Sequence, residues 1–228
     1  MSRYPCFKSQ EEAGRMLSRM LSYYKNREST AVLCLNRNAL TLAATIAAEL
    51  NLPLNLLLLH PFSTVVNGSS FTVGAIGRVI GGALGESSVL AREEVVTLKE
   101  EIIKGIGLTP DQLHAHIEQG RVKLRELYAS YHAHVAPSAS PLAPSKTLLL
   151  VDNGVRSGQT VRAAFSLIRN AGWQGRMILA APVVCADYRA ALREVDVVAL
   201  VRPSAINVGT EEKWYTIPSE PSPVKLSR

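Results

Sequence analysis

Apolar and polar positions follow two rhythms along this chain. Short, mostly apolar runs occur at 31–35 (AVLCL), 54–59 (LNLLLL), 146–151, 176–182 and 195–201. Runs of that length read as strands covered on both faces. Between them lie stretches with helical spacing. In SQEEAGRMLSRMLSYY, Ser9 and Glu12 have the spacing of a capping box, and Ala13, Leu17, Met20 and Leu21 fall on one face. ALTLAATIAAEL (39–50) is a second helix, closed by Pro53. A charged amphipathic helix is predicted within 90–105. Another starts at TPDQ, with Thr109 as cap and a stripe of Leu113, Ile117, Leu124, Leu127 and Tyr131. Helices at 160–171 and 186–193 complete the series, with Gly172 as a stop.

Strands alternating with helices predict an α/β fold built on a mostly parallel, doubly wound sheet. Two segments break the alternation. Residues 60–90, with six glycines between Gly68 and Gly85, read as a flexible hairpin or flap. VAPSASPLAPS (135–145) is a connector. The expected organisation is one domain over 1–217, with N-terminal, middle and C-terminal segments forming a small hood, and a loose tail at 218–228.

Composition narrows the class. Hydrophobic residues make up 47% of the 228, enough for a sizeable core. The three cysteines are too few and too scattered for a disulfide framework or a cysteine zinc site. The pairs His114/His116 and His132/His134 are two residues apart, so on a helix they face different ways and form no ligand set. The opening segment is broken up by charge, and no apolar run is long enough to span a bilayer, so a soluble cytoplasmic protein is expected. A formal charge of +6 favours anionic partners. The basic residues are scattered, which favours a phosphorylated small molecule over nucleic acid.

The most informative stretch is LLLVDNGVRSGQT (148–160). An apolar strand ends on Asp152 and opens into a polar loop with Gly154 and Gly158. The helix that follows is apolar at Val161, Ala164, Phe165 and Ile168, so it packs on the sheet with its N-terminus toward the loop. Free N–H groups and the positive end of the dipole suit a phosphate there, and Ser157 and Thr160 add hydroxyls. The acid upstream suits ribose hydroxyls, or a magnesium ion near them. An ordinary strand-to-helix turn would leave the same kind of trace.

This stretch resembles the signature of the type I phosphoribosyltransferases: an apolar strand, two acids, a small or apolar residue, and a threonine-glycine turn closed by threonine. Asp152 matches the first acid and Asn153 replaces the second. Ser157 and Gly158 match the threonine-glycine pair, and Thr160 the closing threonine. FKSQEEAGRMLSRML, AVLCLNRNALTLAATIAAEL, APVVCAD and VDVVALVRPSAINVGTEEKWY are similar to a subgroup of predicted phosphoribosyltransferases of uncertain substrate, so the resemblance runs from about Phe7 to Tyr215. It implies phosphoribosyl pyrophosphate as ligand, with magnesium, in a cytoplasmic homodimer. It places the 5-phosphate at Arg156, Ser157, Gly158, Gln159 and Thr160, and the ribose and its chemistry at Asp152 and Asn153. The pyrophosphate falls on NRNA (36–39), at Asn36, Arg37 and Asn38, where a guanidinium suits a diphosphate. Relatives often carry glycines where Asn38 and Ala39 stand here.

Three further residues have two readings each. Trp214 and Tyr215 offer rings for stacking on a base, or for covering a sheet edge. Arg202, at the carboxyl end of the last strand, reads as a phosphate or base contact, or as a solvated arginine. The residues therefore support three functions: phosphoribosyl transfer to a base or amine, regulatory binding of a nucleotide or phosphoribosyl pyrophosphate without turnover, and nucleic-acid binding, for which only the charge speaks. Asn153 weakens the first, because an oxocarbenium-like transition state is stabilised by nearby negative charge. An amide still hydrogen-bonds ribose, so binding is compatible with it.

Overall fold

In a computed structural model, residues 7–80, 93–132, 146–156, 158–185, 195–204 and 214–217 are described. Seven strands form one sheet in the order β4-β3-β2-β1-β5-β6-β7. They are β1 (Thr30–Cys34), β2 (Leu54–Val66), β3 (Ser69–Ile80), β4 (Val95–Leu98), β5 (Thr147–Val151), β6 (Arg176–Val183) and β7 (Asp196–Val201). The run from β2 through β1 to β7 is parallel, and β3 and β4 add an antiparallel margin. The architecture is the α/β, mostly parallel sheet with flanking helices that the alternation predicted.

The side chains of β1 explain why its run is apolar without a break. Val32 and Cys34 enter one core cluster; Ala31 and Leu33, with Leu35 just beyond, enter the other. Helices cover both. α1 (Gln10–Met20) and α2 (Leu40–Leu50) pack on the first cluster, and α5 (Gln159–Asn170) packs Val161, Ala164, Leu167 and Ile168 into the second. The chain winds one way from β1 through α2 to β2, and the other way from β5 through α5 to β6. The carboxyl ends of β1 and β5 therefore flank the point where the winding reverses, where open α/β sheets hold their ligands.

α1 begins at Ser9, whose hydroxyl accepts from the Glu12 N–H at 3.4 Å. The Glu12 carboxylate reaches one residue further back than a capping box requires, accepting from the Lys8 N–H at 2.7 Å. Ala13, Leu17 and Leu21 face inward as expected, but Met20 is 56% exposed. The buried stripe runs through Gly14 and Ser18 instead, because α1 lies close on α2. A Cβ at Gly14 would stand 2.8 Å from Thr45 Cβ.

The middle of the chain decides one alternative and corrects one expectation. Residues 60–80 form a hairpin, but not a flap: β2 runs to Val66, and β3 pairs with it from Ser69 to Ile80 inside the sheet. Asn67 (φ 50°) and Gly68 (φ 77°) make the turn, the residue pair that two-residue hairpins favour. Two of the glycines that suggested mobility, Gly74 and Gly77, are packed. A Cβ at Gly74 would lie 2.5 Å from the Phe62 ring. Residues 81–92 lie outside the described residues. The helix expected within 90–105 is split, because Val95–Leu98 is the edge strand β4 and only Glu100–Ile106 is helical (α3). Val95, Val96 and Thr97 are β-branched and pair with β3, which outweighs the helical spacing.

α4 (Pro110–His132) starts as predicted, with reciprocal bonds between Thr109 and Gln112 at 3.0 and 3.3 Å. It lies across the hairpin, burying Leu124 and half-burying Leu113, Ile117 and Leu127. The Arg78 guanidinium sits 4.5 Å from the centre of the Tyr128 ring. The helix expected at 186–193 and the tail at 218–228 fall outside the described residues. No described helix is long and apolar enough to cross a membrane.

His60 on β2 is half-buried beneath α4. Burial, and then the Lys123 charge, hold its pKa below the usual imidazole value. A depressed imidazole pKa means that the unfolded chain takes up protons first as pH falls. The His60 contribution to stability is therefore present above the imidazole range and lost below it. Melting midpoints should drop between about pH 7 and pH 5.5, and His60→Gln should flatten that slope; an equal slope in the variant would contradict the assignment.

Candidate functional site

A cleft of about 240 Å³ opens between the carboxyl ends of β1 and β5. Asn36 and Asn38 line one wall; Asp152, Asn153, Gly154, Val155, Arg156, Gly158, Gln159, Thr160 and Val161 line the other.

The second wall is held from three sides. Beyond β5 the backbone keeps contact with β6: the Asp152 N–H donates to the Ala180 carbonyl (3.2 Å), Val155 N–H to Val183 (2.8 Å), and Cys185 N–H to Val155 (2.9 Å). Within the loop, Asp152 Oδ1 accepts from the Gly154 N–H at 3.0 Å, a short side-chain turn. From the third side come Trp214 and Tyr215. Trp214 is 3% exposed, with its ring edge against Gly154. Tyr215 donates its hydroxyl to the Asn153 carbonyl at 3.1 Å. Asp152 and Asn153 are themselves 4% and 6% exposed.

α5 starts at the mouth of this wall. Its N-cap is Gly158 in the left-handed conformation (φ 66°). The Arg162 N–H closes the first turn onto the Gly158 carbonyl. The N–H groups of Gln159, Thr160 and Val161 precede that turn and have no intrahelical acceptor, so they present donors and the positive end of the dipole to the cleft. Among the described residues, no side chain caps this helix, as one would at an ordinary strand-to-helix turn. Arg156 is exposed at the rim, and Ser157 lies outside the described residues.

The β1 wall differs. Residues 37–39 form a 3₁₀ turn capped by Asn36, whose Oδ1 accepts from the Ala39 N–H at 3.0 Å. The turn needs no left-handed residue: neither Asn38 nor Ala39 has positive φ, so the side chains that replace glycine fit without backbone strain. Gln10 of α1, 2% exposed, grips the same loop. Its Nε2 donates to the Asn38 carbonyl at 2.6 Å and its Oε1 accepts from the Leu42 N–H at 3.2 Å. The first turn of α2 therefore commits donors to protein acceptors, whereas α5 keeps its own open. Cys34 lies under this wall, buried, donating to the Asn36 carbonyl at 3.0 Å. Burial pushes its thiol up to about 12, with the nearby Asp152 charge acting the same way, so it is a neutral packing group and not a nucleophile.

The residues singled out in the sequence thus fall into three groups. Asn36, Asn38, Asp152, Asn153, Arg156, Gly158, Gln159 and Thr160 share one cleft. Arg37 is exposed and does not line it. Arg202 is exposed and folds back to donate to the Val197 carbonyl at 2.7 Å. Trp214 and Tyr215 reach the site from behind, as supports of the loop; a buried Trp214 offers no open face to a base. Gln10 went unnoticed in the sequence, because a glutamine near a helix start carries no signal of a contact 28 residues away.

No family model matches the chain. Among solved structures, TT1426 from Thermus thermophilus superposes with a TM-score of 0.71 at 24% identity, covering 96% of this chain and 94% of that one. A hypothetical protein from Neisseria gonorrhoeae with bound ppGpp matches with a TM-score of 0.45 at 7% identity, over 90% and 85% of the two chains. Adenine phosphoribosyltransferase from Trypanosoma brucei, in complex with AMP, pyrophosphate and ribose-5-phosphate, matches with a TM-score of 0.41 at 18% identity, over 86% and 68%. Of these three, only the first is near enough to speak to architecture. The chain has an α/β fold shared with TT1426 over nearly its whole length.

Proposed function

We propose that the cleft binds phosphoribosyl pyrophosphate or a related ribose 5-phosphate ligand, and that the protein is a phosphoribosyltransferase-like protein. One observation carries the reading: a buried acid, Asp152, and an uncapped helix start, Gly158–Val161, line the same cleft at the reversal of the winding. The helix start suits the 5-phosphate, and the acid at the strand end suits ribose hydroxyls. The pyrophosphate would meet the Asn36–Asn38 wall, with Arg37 swinging in from solvent.

Magnesium fits the donor set only as a shared ion. Asp152 is the one acid lining the cleft among the described residues, and no three described His, Cys, Asp or Glu gather as a metal-binding group. Asp152 would hold the ion while ligand oxygens complete its shell, and the ion would neutralise charge on the departing pyrophosphate.

In transfer, a base or amine would attack the anomeric carbon as the bond to pyrophosphate breaks. Asp152 would then supply a carboxylate beside the positive sugar. The same geometry supports a second reading, a regulator that binds without turnover, and Asn153 favours it. Asn153→Asp separates the two. The added acid would stand buried beside Asp152, so without magnesium the variant should melt lower than wild type. With magnesium and phosphoribosyl pyrophosphate, an enzyme should release pyrophosphate at least about tenfold faster in the variant, over a panel of bases and amines. Background release from both proteins would favour the regulator.

A further inference from the structure

The two walls of the cleft belong to different halves of the chain, yet one short segment touches the supports of both. Phe7 pairs with the C-terminal segment as a parallel bridge to Tyr215. The Phe7 N–H donates to the Trp214 carbonyl (2.8 Å), and the Thr216 and Ile217 N–H groups donate to the carbonyls of Phe7 and Lys8 (both 2.9 Å). The Phe7 and Tyr215 rings stand 6.1 Å apart, tilted by 43°. Tyr215 in turn holds the Asn153 carbonyl, and Trp214 lies against Gly154. Three residues along from Phe7, Gln10 holds the Asn38 carbonyl and the Leu42 N–H. Three residues span at most about 10 Å, and Ser9 anchors the segment as the cap of α1, so little slack separates the two grips.

We infer that Phe7–Gln10 is a crossbar that sets the spacing of the two cleft walls, with Gln10 and Tyr215 as positioning residues at its ends. Neither side chain lines the cleft. Gln10 fixes where the Asn36–Asn38 wall stands, Tyr215 fixes the Asn153 backbone, and the segment between them makes the two positions depend on each other. A ligand that spans phosphate and pyrophosphate subsites needs that spacing, whereas a ligand held on one wall does not. This inference deepens the phosphoribosyl reading and rests on it for the identity of the ligand, though not for the mechanical coupling.

The test reads coupling and binding separately in the full-length protein. Native-state amide exchange should show that Tyr215→Phe, which keeps the ring and removes the hydroxyl, speeds exchange at Gly154 and also at Ala39 and Leu42. About fivefold is expected, the size of one lost hydrogen bond. Gln10→Leu should in turn speed exchange at Gly154, while amides in the middle of β6 keep their wild-type rates. If Gln10→Leu does not fold, Tyr215→Phe read at Ala39 and Leu42 decides alone. Changes confined to each variant's own wall would overturn the crossbar. Calorimetry then compares phosphoribosyl pyrophosphate, which spans both walls, with inorganic phosphate, which needs only one. Both variants should weaken the first about tenfold and leave the second within about twofold. Equal weakening of both probes would also overturn it. If wild type binds neither probe while the exchange coupling holds, the phosphoribosyl reading fails and the crossbar stands.

Discussion

Replacing Asp152 with alanine should lower affinity for phosphoribosyl pyrophosphate by about 100-fold, the loss expected when a charged acceptor of ribose hydroxyls is removed. The carboxylate does two jobs that a second variant separates. Its Oδ1 accepts from the Gly154 N–H and shapes the loop, while its charge faces the cleft. Asp152→Asn keeps an oxygen for the Gly154 N–H and removes the charge. If the charge serves the ligand, Asn should weaken binding by roughly tenfold or more with little change in melting midpoint. Alanine should also lower the midpoint, because it leaves the buried Gly154 N–H without that acceptor. Titration calorimetry with magnesium present measures the first effect, and a thermal melt the second. Wild-type affinity in Asp152→Ala would take the ribose away from this acid.

Gly154→Ala should be the most damaging single methyl in the loop. A Cβ there would fall 1.8 Å from Trp214 Cζ3 and 2.7 Å from two further ring carbons. The ring is buried and rigid, so it cannot yield by a rotamer change alone. Either the loop or the C-terminal segment must move, at a cost of about 1–3 kcal/mol, or roughly 3–10 °C in melting midpoint for a chain of this size. The move would also disturb the Asp152–Gly154 turn and the Tyr215 bond to Asn153, so ligand affinity should fall with stability. Trimming the obstacle tests the cause: Gly154→Ala combined with Trp214→Leu should be less destabilised than the sum of the two single changes. Strict additivity would mean that the methyl and the ring do not meet.

The parts of this molecule legible in its sequence are those set by local rules. Apolar runs marked β1, β5 and β6, which are buried, and the half-exposed edge strand β7, and the Thr109–Gln112 box marked the start of α4. The strand ending on Asp152 and opening into glycine and a helix marked one wall of the cleft. What stayed hidden depended on partners far along the chain. The glycines of 68–77 looked mobile because glycine lacks a side chain, yet at Gly74 that absence lets Phe62 pack. Of the two alternatives for this segment the structure takes the hairpin, turned at Asn67–Gly68. Val95–Leu98 became a strand only because β3 offered an edge to pair with. Gln10 is ordinary in the sequence, and Trp214 stands out there only as an aromatic with two readings; each acquires its role through contact with a cleft wall.

The most direct measurement is the melting midpoint of the wild-type protein titrated with phosphoribosyl pyrophosphate, with and without magnesium. A ligand bound only by the folded state stabilises it by about 2.7 kcal/mol at 100 times its dissociation constant, roughly 5–10 °C here. A dose-dependent rise that grows with magnesium is the expected result. An unchanged midpoint at millimolar ligand would contradict a phosphoribosyl site between β1 and β5.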